Sequence, residues 1–369
     1  MMDGILVRLA ERQDEDNWNN YLDMFEDSVA YHLFAWKQAI EDAYGFECPY
    51  FLADKNGRIC GVFPTVHIHP PLGKGKLVSL PYCDVGGILA DSPEIAEVLF
   101  NYACQYAGKF KIPTIEIRKT PAIFKPDSLN GDKIYSKDPD PEGSGSEKVR
   151  MLLNLPENSE SLMASFKSKL RSQVNKPARE GLTSKIGGAE LLDEFYSVFA
   201  ENMRALGSPV HSIKWLGSIF QHFGEKAKCG MIYMPDKTPA AGGIILCHKN
   251  IVSIPWASSV PRLNRFNPNM LLYWCFLEFA SDNGYQYFDF GRSTPNEGTY
   301  RFKAQWGAKP QPLHWEKWKI GENGAYSAVF APTSGSNDRK RVLAENVIKK
   351  IPLPLSTFVG SRFRKYISL

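Results

Sequence analysis

The sequence predicts two similar α/β domains in tandem, each a mixed central sheet flanked by helices. Three observations carry this. The chain has 369 residues, the length of two ordinary domains. LVSLPY at 77–82 matches IVSIPW at 251–256, and TIEIR ending at Arg118 matches FDFGR ending at Arg292. The serines at 79 and 253 and the arginines at 118 and 292 share one offset of 174 residues, which marks a duplicated unit. Each copy also reads strand–strand–strand–helix–strand, a layered α/β order.

Along the first copy, residues 5–9 read as a strand, and 18–25 and 34–44 have helical spacing. Residues 49–53 and 59–69 read as strands joined by the turn at Asn56 and Gly57. The strand at 77–82 leads into a loop with Asp84, Gly86 and Gly87. Ser92, Pro93 and Glu94 start a helix that runs to about Phe110, and 114–118 is a strand. From 119 to 148 the composition turns to Pro, Asp, Gly and Ser, so the first domain is set at 1–148 with a surface connection at its end.

The second copy spans 149–320. Residues 149–155 form a strand, and 160–180 form a long basic helix with a break expected at Pro177. Helices at 189–206 and 213–223 precede three strands at 228–234, 240–248 and 251–257. Pro268 opens a helix through Asn283, which feeds the strand beginning at Tyr287. An alternating segment at 313–319 is expected to close this sheet. The remainder, 321–369, is a basic tail with an apolar stripe of Val342, Val347, Ile348 and Ile351. Two readings of it stand: a helix docked on its own domain, or a basic anchor for an anionic membrane surface that uses Arg362, Arg364 and Lys365.

Composition excludes several function classes. With 43% hydrophobic and 23% charged residues the chain reads as soluble and globular, and a net charge of +4 is no nucleic-acid signature. Seven scattered cysteines without a C-x-x-C pair suggest reduced, buried thiols in a cytoplasmic protein. There is no apolar signal core at the amino terminus and no run of about 18 apolar residues. Walker, nucleophile-elbow and H-E-x-x-H motifs are absent, and His67 and His69 lack a third ligand, so no metal is expected.

Chemistry concentrates in YQYFDFGRSTPNEGTYRFKAQWGA, residues 285–308. Phe288 and Phe290 read as strand core. Asp289 among them needs a partner, and Arg292 is the local one; that pair is either structural or part of catalysis. Arg292 and Ser293 fall at a strand's carboxyl end, where open sheets place ligands. Gly298 or Thr299 is expected to cap a short helix with Tyr300, Phe302, Lys303 and Trp306. Lys303, flanked by rings, is the best catalytic candidate, as a fixed cation for a developing oxyanion.

FDFGRS followed by GTYRFKAQWGA resembles the FemAB family of double-domain acyltransferases within the GNAT superfamily. Some of its members transfer amino acids from aminoacyl-tRNA to peptidoglycan precursors. LVSLPYCDVGGILAD, KSKLRSQVNKPAREGL, DEFYSVFAENMRALGSPV and NPNMLLYW are similar to the branch associated with exosortase/PEP-CTERM systems, and the likeness runs over residues 5–318. The resemblance implies that both copies are GNAT-like. It implies that Phe302 and Lys303 line the reaction centre. Tyr300 is a candidate proton donor, and Asp289 and Glu297 are candidate bases unless the amine loses its proton without one. The resemblance also implies that Arg171 binds phosphates of a nucleotide-linked acceptor.

Further residues join this expectation. Asn267 and Pro268 begin a helix whose free N–H groups suit a phosphate, with Asn269 in its first turn and Arg262 and Arg265 just upstream. An ordinary capped core helix is the alternative, and the glycine-rich acyl-CoA loop is missing. Trp256 and Tyr82 hold equivalent repeat positions; core packing is the alternative for both. The resemblance implies an acceptor near an early lysine of the first domain, and Trp36, Lys37, Tyr82 and Asp84 are the cluster matched to it. The sum is an acyl or aminoacyl transfer to an amine of a cell-envelope, peptidoglycan or exopolysaccharide precursor, with acyl-CoA or aminoacyl-tRNA as donor and no tightly bound cofactor. The alternatives are an acyl-CoA-dependent N-acetyltransferase of an amino sugar or small amine, and a non-catalytic precursor-binding module.

Overall fold

The structure, a computed structural model, describes residues 4–119, 148–321, 325–329 and 338–368. The expected surface connection therefore falls largely outside the described residues. The chain forms two compact units: Met1–Lys148 with Pro312–Pro332 and Tyr366–Leu369, and Val149–Gln311 with Thr333–Lys365.

Unit 1 begins with β1 (Ile5–Leu9), α1 (Glu15–Leu22), α2 (Phe34–Tyr44), β2 (Phe51–Lys55), β3 (Arg58–Phe63), β4 (Val66–Ile68), β5 (Lys76–Val78), β6 (Leu89–Ala90), α3 (Pro93–Lys109) and β7 (Thr114–Lys119). The helix-start signal read from sequence works as expected in α3. Ser92 Oγ accepts from Ile95 N–H at 3.4 Å, and Pro93 sits in the first turn. One face of α3, with Ile95, Leu99, Ala103 and Ala107, packs on Phe51, Phe63, Leu77 and Ile115. The strand expected at 77–82 stops at Val78, because Leu80 and Tyr82 turn left-handed at φ +61° and +69°.

Unit 2 begins with β8 (Val149–Asn154), α4 (Ser159–Ser165), α5 (Ser168–Arg179), β9 (Thr183–Gly187), α6 (Leu192–Leu206), α7 (Ile213–Phe223), β10 (Ala227–Tyr233) and β11 (Pro239–His248). It continues through β12 (Ile251–Ser259), α8 (Pro268–Asp282), β13 (Tyr287–Ser293), α9 (Gly298–Ala304) and β14 (Lys309–Pro312). Its sheet runs β14-β8-β13-β12-β11-β10-β9. The basic helix is split at Phe166–Lys167, not at Pro177, which lies inside α5. Burial of the Phe166 ring, edge-on to Trp306 and Trp274, holds that residue extended between the two helices. Phe276 of α8 lies against β10 where Gly230 leaves room; a Cβ there would come within 2.5 Å of the ring.

β15 (His314–Ile320) corrects the expected end of the second sheet. It pairs antiparallel with β7, beside β16 (Tyr326–Ala328), in a sheet ordered β16-β15-β7-β5-β4; unit 1 also has a sheet β1-β2-β3-β6. The strand read from sequence is real, but its burial does not alternate, and strand identity does not name the neighbour. Finally α10 (Asp338–Lys350) and α11 (Leu353–Phe363) pack on α6. In both units a parallel pair is bridged by a helix: β5 and β7 by α3, β12 and β13 by α8. The fold is thus two tandem α/β units flanked by helices, with one seven-stranded mixed sheet in unit 2 and two smaller sheets, where a single central one is expected, in unit 1.

Candidate active site

In unit 2 the two parallel central strands separate. Only Ile251–Tyr287, Val252–Phe288 and Ser253–Asp289 join β12 to β13. Past this point β12 keeps β11 as partner, from Trp256–Ile244 to Ser259–Ala241. Arg292 and Ser293 of β13 pair instead with Arg150 and Val149 of β8. Two local features drive the strands apart. Pro255 has no N–H to give, and the β12 register is irregular around it. Gly291 forms a bulge between Asp289 and Arg292 at φ +71°, a conformation that favours glycine.

Asp289 holds that bulge. Its Oδ1 accepts from Gly291 N–H at 2.8 Å, and its Oδ2 accepts from Arg150 Nε at 2.9 Å. Both side chains are buried, Arg150 completely. This corrects the expected Asp289–Arg292 pair: the partner comes from β8, while Arg292 stands opposite Arg150 on the same sheet face. Arg150 Nη1 and Nη2 and the hydroxyls of Ser253 and Ser293 are buried with no hydrogen-bond partner among the described residues. A lone arginine in the apolar run VRMLLN was the signal for this pairing, since a buried charge must find a partner.

Lys303 closes the arrangement. Its Nζ donates to Gly291 O at 3.1 Å and Arg292 O at 2.7 Å, and the side chain is buried. A chain of bonds therefore runs from Arg150 through Asp289 and the bulge to the Lys303 ammonium. Glu297, not Gly298 or Thr299, occupies the cap position of α9, and Trp306 lies beyond the helix end. Phe302 is half-buried, its ring edge-on to Tyr273 with centroids 5.0 Å apart; Tyr300 packs at the margin of the same core.

The loop before α8 is less regular than expected. Asn267 precedes Pro268 but is left-handed, at φ +55°, and its side chain makes no cap bond. Asn269 is half-buried in the first turn. Arg262 is exposed with Glu201 at 3.7 Å, and Arg265 stacks on Phe266 with its carbonyl accepting from Lys176 Nζ at 2.9 Å. Trp256 is interior, edge-on to Trp215 and His211. Burial there, with Arg364 repulsion behind it, holds His211 well below the usual imidazole range. Arg171, expected at an acceptor phosphate, donates to Phe166 O at 2.9 Å and Ala164 O at 3.4 Å, closing the end of α4.

The acceptor cluster expected in unit 1 does not form an open site. Trp36 is fully buried against Tyr31 and belongs to the core. Lys37 pairs with Glu41 and donates to Cys48 O at 2.8 Å. Tyr82 is buried edge-on to Tyr44, and Asp84 O accepts from Trp315 Nε1 at 2.9 Å. Beyond the β5–β7 pair, unit 1 holds its own Ser368. The Ser368 carbonyl accepts from Tyr82 N–H at 2.7 Å and Arg118 Nη1 at 3.3 Å, and its hydroxyl meets Lys76 Nζ at 2.7 Å. The two copies thus differ at corresponding places: unit 1 holds Ser368 there, while in unit 2 the strands part beside the Arg150–Asp289–Lys303 chain.

Residues 164–304, all within unit 2, match the family model described as an acetyltransferase (GNAT) domain. Among solved structures, FemX is similar at 14% identity and TM-score 0.64, over 83% of this chain and 95% of that one. A tandem GNAT protein from the clavulanic acid biosynthesis pathway is similar at 11% identity and TM-score 0.51, over 89% and 100%. So is the C-terminal domain of a protein assigned as a lysylphosphatidylglycerol synthetase from Agrobacterium fabrum, at 11% and TM-score 0.51, over 82% and 90%. At these identities the likeness concerns the fold. No curated protein sequence matches the chain. Fold and matched domain together define the class: a GNAT-type N-acyltransferase.

Proposed function

We propose that unit 2 carries an acyl or aminoacyl transfer to an amine on a cell-envelope, peptidoglycan or exopolysaccharide precursor. The observation that carries this is the separation of β12 and β13 beside a clamped, buried Lys303. The donor carbonyl lies at that separation. The acceptor amine attacks its carbon, a C–N bond forms and the carbonyl oxygen becomes an oxyanion. The C–S bond of a thioester or the C–O bond of an aminoacyl ester then breaks. The amine loses one proton and the leaving thiolate or ribose oxygen takes one up.

Lys303, held by two carbonyls, acts as a fixed cation that lowers the energy of the oxyanion, with Phe302 beside it and Tyr300 as the hydroxyl for proton transfer. Asp289 is a positioning residue here, because both its oxygens hold the bulge. The free N–H groups of α8, with Asn269 and the nearby Arg262 and Arg265, suit donor phosphates, and Arg292 and Ser293 border the donor. Arg171 is proposed on the acceptor side of unit 2.

The aminoacyl reading draws on the FemAB resemblance and the fold shared with FemX; the motifs of the PEP-CTERM-associated branch favour an exopolysaccharide acceptor. A cytoplasmic location at the inner membrane face goes with it. The matched acetyltransferase domain favours a second reading, acetyl transfer from acetyl-CoA to an amino sugar.

A thermal melt with acetyl-CoA, longer acyl-CoAs or charged tRNA separates the donors. A ligand at about 100 times its Kd adds roughly 2.7 kcal/mol, about 5–10 °C for a unit of this size. A shift with CoA that weakens in Arg262→Gln and Arg265→Gln assigns a CoA donor. A shift with charged tRNA alone assigns the aminoacyl ester. No shift with either class would sink the proposal.

A further inference from the structure

Helices α10 and α11 pack on α6 with large apolar side chains left exposed. In α11 the buried positions are Ser356 and Gly360, one turn apart. Gly360 lies so close to the chain at Pro209–Val210 that a Cβ would meet Val210 N at 2.8 Å. Leu355, Phe358 and Phe363 are 49%, 55% and 62% exposed, Phe358 opposite the buried pair and Phe363 at the end of the helix. An amphipathic helix held by its own domain normally buries such side chains. Helix α10 repeats the pattern, with Val342, Leu343 and Val347 more than half exposed. Six of the fifteen large exposed apolar side chains among the described residues thus fall between 342 and 363, too many for chance scatter over the surface.

Charge says what covers them. Residues 338–368 contain eight Lys and Arg against Asp338 and Glu345, an excess of six on a chain whose net charge is +4. The rest of the chain is therefore slightly acidic, and the basic charge is concentrated in these helices. Lys349 and Lys350 are exposed at the end of α10, and the Arg362 guanidinium lies 3.6 Å from the Phe358 ring centroid. Outward aromatic and aliphatic side chains interleaved with cations fit an anionic bilayer surface: rings enter the headgroup boundary while cations meet lipid phosphates. The helices are too short and too charged to span it; none among the described residues is long and apolar enough to cross a membrane.

We propose that α10 and α11 form a peripheral docking surface for an anionic lipid bilayer. The proposal does not depend on the acyl-transfer chemistry. The test is co-sedimentation of the full chain with phosphatidylcholine vesicles, with and without about one third phosphatidylglycerol. Binding is expected to the anionic vesicles only, and to fall as salt rises. Lys349→Gln with Lys350→Gln should weaken it about 30-fold, at roughly a factor of five per cation. Phe358→Ser with Phe363→Ser should abolish it while far-UV circular dichroism stays unchanged. Failure to bind anionic vesicles overturns the proposal, as does equal binding to neutral ones. So does light scattering that shows a dimer which the Phe358/Phe363 variant converts to monomer, since the face would then be a self-interface.

Discussion

Replacing Arg150 by Met tests the innermost link of the site. The Arg150 and Asp289 side chains are 0% and 4% exposed, so neither charge is shared with solvent. Methionine fills much of the volume but leaves the Asp289 carboxylate with only the Gly291 N–H found here. Breaking a buried pair on one side costs about 3–5 kcal/mol. In a unit of this size that lowers Tm by roughly 6–20 °C. Removing both charges in Arg150→Met/Asp289→Leu leaves no uncompensated ion, so the double variant should be more stable than Arg150→Met alone. Urea unfolding followed by tryptophan fluorescence measures all three. A loss below about 1 kcal/mol for Arg150→Met, or simple additivity in the double variant, would refute the claim that this pair is desolvated and coupled.

Three other outcomes follow from the same geometry. Lys303→Met should lower kcat by about 100- to 1,000-fold with a smaller change in KM, as for loss of an oxyanion donor; a kcat within a few-fold of the parent removes the catalytic assignment. Gly291→Ala forces a side chain into the left-handed bulge, at about 1–2 kcal/mol, and denaturant unfolding reads the loss. Burial pushes the Glu116 carboxyl up, but Arg118 and Lys76 outweigh it and hold it at about 2. Since 4.5 is its ordinary value, this stabilisation is complete above pH 4.5 and fades as pH falls towards 2. The amount is about 3 kcal/mol, so Glu116→Gln should flatten the acid limb of the stability curve; an unchanged limb counts against it.

Much of this protein was legible because local chemistry carried it. The Ser92-Pro93 start of α3, the Pro268 start of α8 and the largely buried aromatic strand β13 are decided by residues within a turn of each other. The duplication was legible too, as similar strands at a constant offset. The candidate lysine was marked by its setting between rings and by family resemblance.

What the sequence by itself determined, then, was two α/β copies and most of their element types; the stretch at 285–308 was marked only as a candidate site. Tertiary structure decided the partnerships. Asp289 was assigned to Arg292 because the two are near in sequence, yet the β8–β13 register delivers Arg150 from 139 residues away. β15 is a strand as expected but joins β7, and Ser368 reaches Arg118 from 250 residues away. Side-chain spacing shows which face of a strand is buried. It does not show which strand lies beside it, because backbone hydrogen bonds are the same for every sequence and only packing selects among the neighbours they allow.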